Sequence, residues 1–289
     1  MKIAYLSSIV TLPGSPQRRD DAFEHDRMMD ALRGPFGKLG YDIEDVDWAV
    51  PDQDWSQYAA ALIGTTWDYW DRPTAFLKRL EEIEAVTALF NSSALVRWNS
   101  HKGYLRELET RGALTIPTLW IDQVDAVEAA AAFDTLGPDL VFKRQIGAGA
   151  DGQFRLSPTD PLPKMPHPMM VQPFLSQIQA EGELSFIFID GGFCHALQKQ
   201  AASGDYRIQS TYGGVETPIS PSATDMASAQ AVLELLDSVP LYARVDMLRG
   251  EDGALRLMEL ELIEPYLYPV EGPQLGGLMA AAVHRRLCG

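Results

Sequence analysis

Two cysteines in 289 residues, Cys194 and Cys288, are too few and too widely spaced for a disulfide framework, a cysteine metal site or a redox pair. Basic residues are also short, with 24 lysines and arginines against 40 aspartates and glutamates and a formal net charge of −16. That balance argues against a general nucleic-acid or anionic-membrane binder, whose affinity rests on surplus positive charge. Any anionic ligand must instead be held by a local group of lysines, arginines and backbone N–H groups. No apolar run approaches the ~18 residues that would suggest a membrane span. The opening MKIAYLSSIV is broken by Ser7 and Ser8, so it reads as a first strand and not as a signal peptide. These absences leave a soluble cytoplasmic chain, whose 46% apolar content is ample for one large or two modest domains.

The stretch Tyr242–Pro265, YARVDMLRGEDGALRLMELELIEP, organises the rest. It predicts two strands, Tyr242–Leu248 and Ala254–Ile263, joined by the turn RGEDG. Residues two apart on a strand share a face, so Glu259 and Glu261 point the same way, flanked by Val245, Met247, Leu257, Met258, Leu260 and Leu262. Carboxylates in so apolar a setting repel one another and lose hydration unless a cation sits between them. Oxygen-only ligands favour Mg²⁺ or Mn²⁺. Asp246 joins this set if the strand register brings it to the same face; a slip of one residue turns it away. The competing reading is an acidic hairpin with its charged face in water.

Taken in order, Lys2–Leu6, Tyr41–Val46 and Ala59–Gly64 read as strands, with helices at Phe23–Leu39 and Thr74–Thr87. Loops after such strands are where open α/β sheets bind ligands, which draws attention to TTWDYWDRP, Thr65–Pro73. Its Trp67, Tyr69 and Trp70 line a pocket or pack between domains, with packing favoured for Trp70. Ser100 is placed to cap a helix over Lys102–Thr110. Strands are expected at Thr115–Trp120, Leu140–Lys143, Gln153–Leu156 and Met169–Val171, and a helix at Asp125–Phe133. Glu183–Ile189 and Phe193–Lys199 form a hairpin, Gly204–Thr217 a loop, and Thr224–Ser238 and Gln274–Leu287 helices.

Between Leu140 and Leu156 a glycine loop, QIGAGADG, separates two strands. Gly147, Gly149 and Gly152 let backbone approach a ligand and make an anion nest, with Lys143 at the strand end in reach of a phosphate. No G-K-[ST] follows and no helix begins there, so this is neither a Walker A loop nor a dinucleotide fingerprint. A simple hairpin turn is the plainer alternative. In MMVQPFLSQIQAEGELSFIFI, a short strand runs into a connection with unpaired backbone groups of the kind an adenine edge needs. Glu183 then offers a carboxylate to a ribose hydroxyl.

In their order and spacing these five elements resemble the ATP-grasp superfamily, in particular its glutathione-synthetase-like and D-alanine–D-alanine-ligase-like members. The segments WDYW, RWNSHKGYL and GDYRIQSTYGG are similar to those of small bacterial members that include a cycloserine-forming enzyme. The resemblance implies an N-terminal Rossmann-like α/β domain (1–98) and two α+β subdomains (99–172 and 173–289) that clamp ATP. It implies Lys102 and Lys143 as nucleotide lysines, Met170–Leu175 with Gln172, Phe174 and Leu175 as the adenine hinge, and Glu183 as the ribose acid. Asp246, Glu259 and Glu261 match the metal triad, the last standing where the family usually has asparagine. His101 and Arg144 also replace usual residues. IEPYLYP departs from the usual substrate loop, so substrate choice is the least transferable part. The implied activity is an ATP-dependent carboxylate–amine ligase working through an acylphosphate, cyclising where both groups belong to one small molecule. Lys199 and Arg207 would act on the transferring phosphoryl group, and Asp68, Tyr206 and Glu264 would hold an amino-acid-like substrate. A small-molecule kinase and a nucleotide-binding regulatory module remain the rival functions. Dimerisation is common in the family, though no specific interface signal stands out.

Overall fold

The structure is a computed structural model that describes residues 1–147, 152–201 and 213–289. Its elements run β1 (Lys2–Ser7), α1 (Phe23–Lys38), β2 (Asp42–Asp47), β3 (Tyr58–Ile63), α2 (Pro73–Glu84), β4 (Ala88–Phe90), α3 (Ser93–Asn99), α4 (Tyr104–Thr110) and β5 (Leu119–Ile121). Then come α5 (Ala126–Leu136), β6 (Leu140–Arg144), β7 (Phe154–Leu156), β8 (Met169–Pro173), α6 (Gln177–Ala180), β9 (Glu183–Ile189) and β10 (Gly192–Gln200). The chain ends with β11 (Val215–Ile219), α7 (Ala223–Glu234), β12 (Tyr242–Arg249), β13 (Leu255–Glu261) and α8 (Leu275–Cys288).

Among the described residues the strands form three sheets. The first, in order β2-β1-β3-β4, is wholly parallel. Alternation along β1 sends Ile3 and Tyr5 to the side of α1, and Ala4 and Leu6 to the side of α2, so both faces are covered. The second, β5-β8-β6-β7, is antiparallel and carries the stem of the glycine loop between β6 and β7. The third, β11-β10-β9-β12-β13, is antiparallel throughout.

The two faces of the third sheet differ in kind. One packs Leu184, Phe186, Phe188, Val245 and Leu260 against Leu105 and Leu108 of α4 and Val232 and Leu233 of α7. The other is split along its length. Ile187, Ile189, Leu197 and Tyr242 pack on Met28 and Met29 of α1 and Met279 and Val283 of α8, while the remainder of that face is charged.

Several local expectations need correction. Ser100 does not cap α4, because its hydroxyl donates to the Arg97 carbonyl at 2.9 Å; α4 starts at Tyr104 and leaves Lys102 in the turn before it. The helix α3, Ser93–Asn99, is not among the expected elements; it is capped by Ser92, whose Oγ accepts from Leu95 N–H. The strand expected at Thr115–Trp120 is confined to Leu119–Ile121, and Thr115 makes only an isolated bridge to Leu257. Val215–Thr217, expected in a loop, belongs to β11.

Candidate active site

The charged face is built by register. Lys199 of β10 lies opposite Glu183 of β9, and Ser185 of β9 opposite Asp246 of β12. Asp246 in turn faces Glu259 of β13, and Arg244 faces Glu261. The pairing therefore brings Asp246 to the glutamates' side, as the three-acid reading required. The acidic hairpin is not turned to water: Asp246 is 1% exposed, and the Glu259 and Glu261 side chains are 30% and 28% exposed.

The cation between the acids is Arg244. Its Nε donates to both Asp246 oxygens, at 3.1 and 3.0 Å, and its Nη2 to Glu261. Its Nη1 donates to the Tyr266 carbonyl at 3.0 Å. Lys199 Nζ lies 2.6 Å from Glu183 and 3.4 Å from Asp246, and Lys102 pairs with Glu259. Ser185 Oγ donates to Asp246 and lies 3.3 Å from Glu183.

Protonation follows from these contacts. Burial pushes Glu183 and Glu261 up to about 7, against the pull of Lys199 on the first and Arg244 on the second. Burial would raise Asp246 as well, yet Arg244 and Lys199 hold it at about 2. Burial also raises Glu264 well above the carboxylate range, with Glu261 and Glu259 adding to the rise. Burial alone would lower Lys102, but Glu259, Glu261 and Glu264 hold it above its ordinary value. Lys143 shows the opposite balance, because burial outweighs Glu259 and its ammonium is easier to deprotonate.

The three acids suit a hard dication in donor chemistry: all are carboxylates, in adjacent register positions on one face, and the repulsion of Asp246 and Glu259 contributes to raising Glu261. As the side chains stand, Arg244 and Lys102 engage them, and among the described residues no three acidic, histidine or cysteine side chains converge on one point. A metal held here would exchange with those cations.

The glycine-loop stem meets this face. Lys102 N–H donates to the Gln145 carbonyl at 2.8 Å, while Gln145 is pinned to Pro168 and Met169. Gly147 and Gly152 have φ of +147° and +66°, backbone that favours glycine; Gly149 lies outside the described residues. Gln172 is buried in the β6–β8 ladder with its amide on Thr118, and the Phe174 N–H donates to the Asp139 carbonyl at 2.8 Å. The expected unpaired edge is therefore absent at Phe174, whose ring lies 3.4 Å from the Arg155 guanidinium. Leu175 packs against the cluster of Ile116, Ile178 and Leu248.

Of the substrate candidates, Glu264 joins the acids. Asp68 has its oxygens on Trp48 Nε1 and Arg72, both at 2.7 Å, which accounts for its carboxylate without a ligand. Tyr206 and Arg207 lie outside the described residues. Tyr69, left open between pocket and packing, is buried; burial and then Glu264, Glu259 and Glu261 raise its phenol well above 10. Sequence reasoning missed Arg244, although the rule that paired Glu259 with Glu261 also places Arg244 on the face of Asp246. It missed Asn91 and Asn99 too, whose amides bond the backbone of β13 and its exit.

A family model described as the N-terminal domain of the D-cycloserine synthetase DcsG matches residues 4–91. The cycloserine biosynthesis protein DcsG of Streptomyces lavendulae is 29% identical over 251 residues, 79% of this chain and 83% of that protein. The crystal structure of D-cycloserine synthetase DcsG superposes with a TM-score of 0.83 at 24% identity, covering 99% of this chain and 100% of that one. A D-alanine–D-alanine ligase from Bacillus anthracis follows at TM-score 0.69 and 16% identity, with 99% and 98% covered. The ATP-grasp ligase PsnB, solved with a phosphomimetic variant of its minimal precursor, Mg and ADP, gives 0.67 and 17%, with 99% and 98% covered. The chain has the fold of the ATP-grasp ligases and, within that fold, resembles the cycloserine enzyme along its length.

Proposed function

We propose that the chain is an ATP-dependent carboxylate–amine ligase acting on a small amino-acid-like substrate. The observation that supports this most directly is the charged face itself. Asp246, Glu259, Glu261 and Glu264 share ground withdrawn from water with Lys102, Lys143, Lys199 and Arg244. Burying so many charges costs several kcal/mol per ion before pairing, an arrangement that stability alone does not favour. It suits a site that must neutralise phosphates and a dication.

In this reading 1–98 is the leading α/β domain, and 99–172 and 173–289 are the clamping subdomains of a cytoplasmic enzyme. Lys102 and Lys143 would hold phosphates, Glu183 the ribose, and Leu175 with its apolar neighbours the base; Asp246, Glu259 and Glu261 would hold Mg²⁺ or Mn²⁺. ATP with its metal supplies the phosphoryl group that turns a carboxylate into an acylphosphate. Arg244 is the cation set beside that chemistry as an electrostatic clamp, with Lys199 anchored behind it by Glu183. The loop around Gly147–Gly152 would close over the phosphates and keep water from the activated acid.

The test is ADP and phosphate release with Mg²⁺ across D- and L-amino acids and their derivatives, with and without hydroxylamine; the relatives' part in cycloserine formation directs attention to D-amino-acid derivatives first. Acid-dependent release with a trapped hydroxamate supports the ligase. A stable phosphorylated product would instead make it a kinase, and failure to bind ATP with Mg²⁺ would overturn both.

A further inference from the structure

The first sheet reverses its winding between β1 and β3. The chain leaves β1 for α1 on one face and leaves β3 for α2 on the other, so the loops after these neighbouring parallel strands part at their carboxyl ends. Open parallel sheets take their ligands at such a point. Here the two loops are stitched at the base, where the Ser8 and Thr11 hydroxyls donate to the Thr65 carbonyl at 3.2 and 3.0 Å. Farther out, the Arg19 guanidinium lies 5.5 Å from the centre of the Trp67 ring. The loop after β3 also touches the exit of the acidic hairpin. Trp67 Nε1 donates to the Glu264 carbonyl at 3.3 Å, and Tyr69 shares a buried cluster with Ile263.

Tyr69 is held firmly in that loop. Its N–H donates to the Thr66 carbonyl at 3.0 Å, and its own carbonyl accepts from Arg72 N–H at 3.0 Å. Its ring packs on Phe76 and Trp70, with centroids 5.0 and 5.6 Å away. Asp68, one position earlier, is fixed by Trp48 and Arg72. The residue is 6% exposed, yet among the described residues nothing hydrogen-bonds its hydroxyl, and that atom is not sealed from solvent. A buried phenol usually finds a partner. Burial, Glu264, Glu259 and Glu261 all oppose its ionisation, so it remains an O–H donor beside acids that it does not bond. Lys143 and the glycine-loop stem belong to the second sheet, whereas Tyr69 comes from the first, on the side away from the phosphate-holding groups.

We propose that Tyr69 is a further catalytic residue, whose O–H donates to the carboxylate of the acid substrate and holds it for attack on the terminal phosphoryl group of ATP. One carboxylate oxygen takes the hydrogen bond. The other forms the new bond to phosphorus as the bond from phosphorus to the ADP oxygen breaks, and ADP leaves with the electron pair. The phenol keeps its proton throughout. This assignment rests on the ligase reading.

The test compares wild type with Tyr69→Phe, which keeps the ring and removes only the hydroxyl. Because no described protein group bonds that hydroxyl, the urea unfolding midpoint should not change. ADP release is measured with Mg²⁺ while ATP and the amino acid that wild type turns over best are varied in turn. For the variant, kcat/KM for the amino acid should fall at least about tenfold, equivalent to ~1.4 kcal/mol of transition-state stabilisation. ATP affinity by calorimetry should stay at the wild-type value. An unchanged kcat/KM for the amino acid overturns the assignment, since the hydroxyl would then meet only water. Equal losses for the amino acid and for ATP affinity also overturn it, and would make the phenol a nucleotide contact or a packing group; in both cases the ligase stands. No amino-acid-dependent ADP release from wild type would remove the ligase reading, and this one with it.

Discussion

Arg244 stands two residues before Asp246 on β12, and its Nε donates to both oxygens of that carboxylate, at 3.1 and 3.0 Å. The pair lies at the centre of the charged face, with Glu261 on one side and Lys199 on the other. Arg244→Lys keeps a charge but loses the planar fork that bridges Asp246, Glu261 and the Tyr266 carbonyl. Acid-dependent ADP release should fall in kcat on the order of 10²–10³-fold, with ATP binding by calorimetry nearly unchanged. A variant with wild-type kcat would show that Arg244 serves only to neutralise its neighbours. Arg244→Ala is a poorer probe, because leaving Asp246 buried without its partner costs roughly 3–5 kcal/mol of stability.

Glu261 carries the distinctive third acid of the triad. Glu261→Gln keeps the shape and removes the charge that would hold a dication. The Mg²⁺ concentration giving half-maximal turnover should rise by at least about tenfold, since even groups one step removed from a metal typically cost 10–100-fold in affinity. The measurement is ADP release titrated with Mg²⁺, repeated with Mn²⁺. An unchanged Mg²⁺ requirement would remove Glu261 from the metal set.

What the sequence made legible was what strand alternation carries. Glu259 and Glu261 share a face because they stand two positions apart on a strand, and only the actual pairing could add Asp246. Lys102 and Glu259, far apart in the chain, meet because the turn before α4 docks against β13 and the glycine-loop stem, a contact with no periodic signal. Asp68 misled because a carboxylate in an aromatic loop suggests a pocket, whereas its partners, Trp48 and Arg72, are fixed by tertiary packing. Tyr268 carries no sequence mark of its left-handed backbone; the Gly272 N–H bonds its carbonyl within the same loop, and Gly272 in turn lies against the His195 ring from β10.

Asn99 illustrates how the outer edge of β13 is closed. Its Nδ2 donates to the Leu260 carbonyl at 2.9 Å and its Oδ1 accepts from Leu262 N–H at 3.1 Å, so one side chain does the work of a neighbouring strand. Tyr104 OH accepts from Leu260 N–H at 2.9 Å beside it. Asn99→Ala leaves two buried backbone groups unpaired and should cost about 2–3 kcal/mol in urea unfolding. Because Glu259 and Glu261 flank Leu260, the affinity for Mg²⁺ should fall as well. A destabilisation below about 0.5 kcal/mol, within the range of ordinary surface substitutions, would mean that water replaces the amide.

His195 gives the fold an acid-sensitive element of known sign. The residue is 7% exposed, and burial lowers its imidazole to about 4. The unfolded chain takes up this proton near pH 6.5, the folded one only near 4. Between those values the unfolded state holds more protons, so this group's stabilisation is complete above pH 6.5 and is lost as pH falls toward 4. The full effect is about 3 kcal/mol. Glu183 and Glu261 act in the opposite sense: their folded values near 7 lie above the usual carboxylate range, so they favour the folded state as pH drops. A bare pH profile would mix the two. The difference between wild type and His195→Gln, each unfolded in urea at pH 7.5 and 5.0, isolates the imidazole, because the glutamates contribute alike to both. Wild type should lose at least about 1 kcal/mol more than the variant on acidification, part of the full linkage expected. Equal losses would mean that the folded state accommodates the protonated ring.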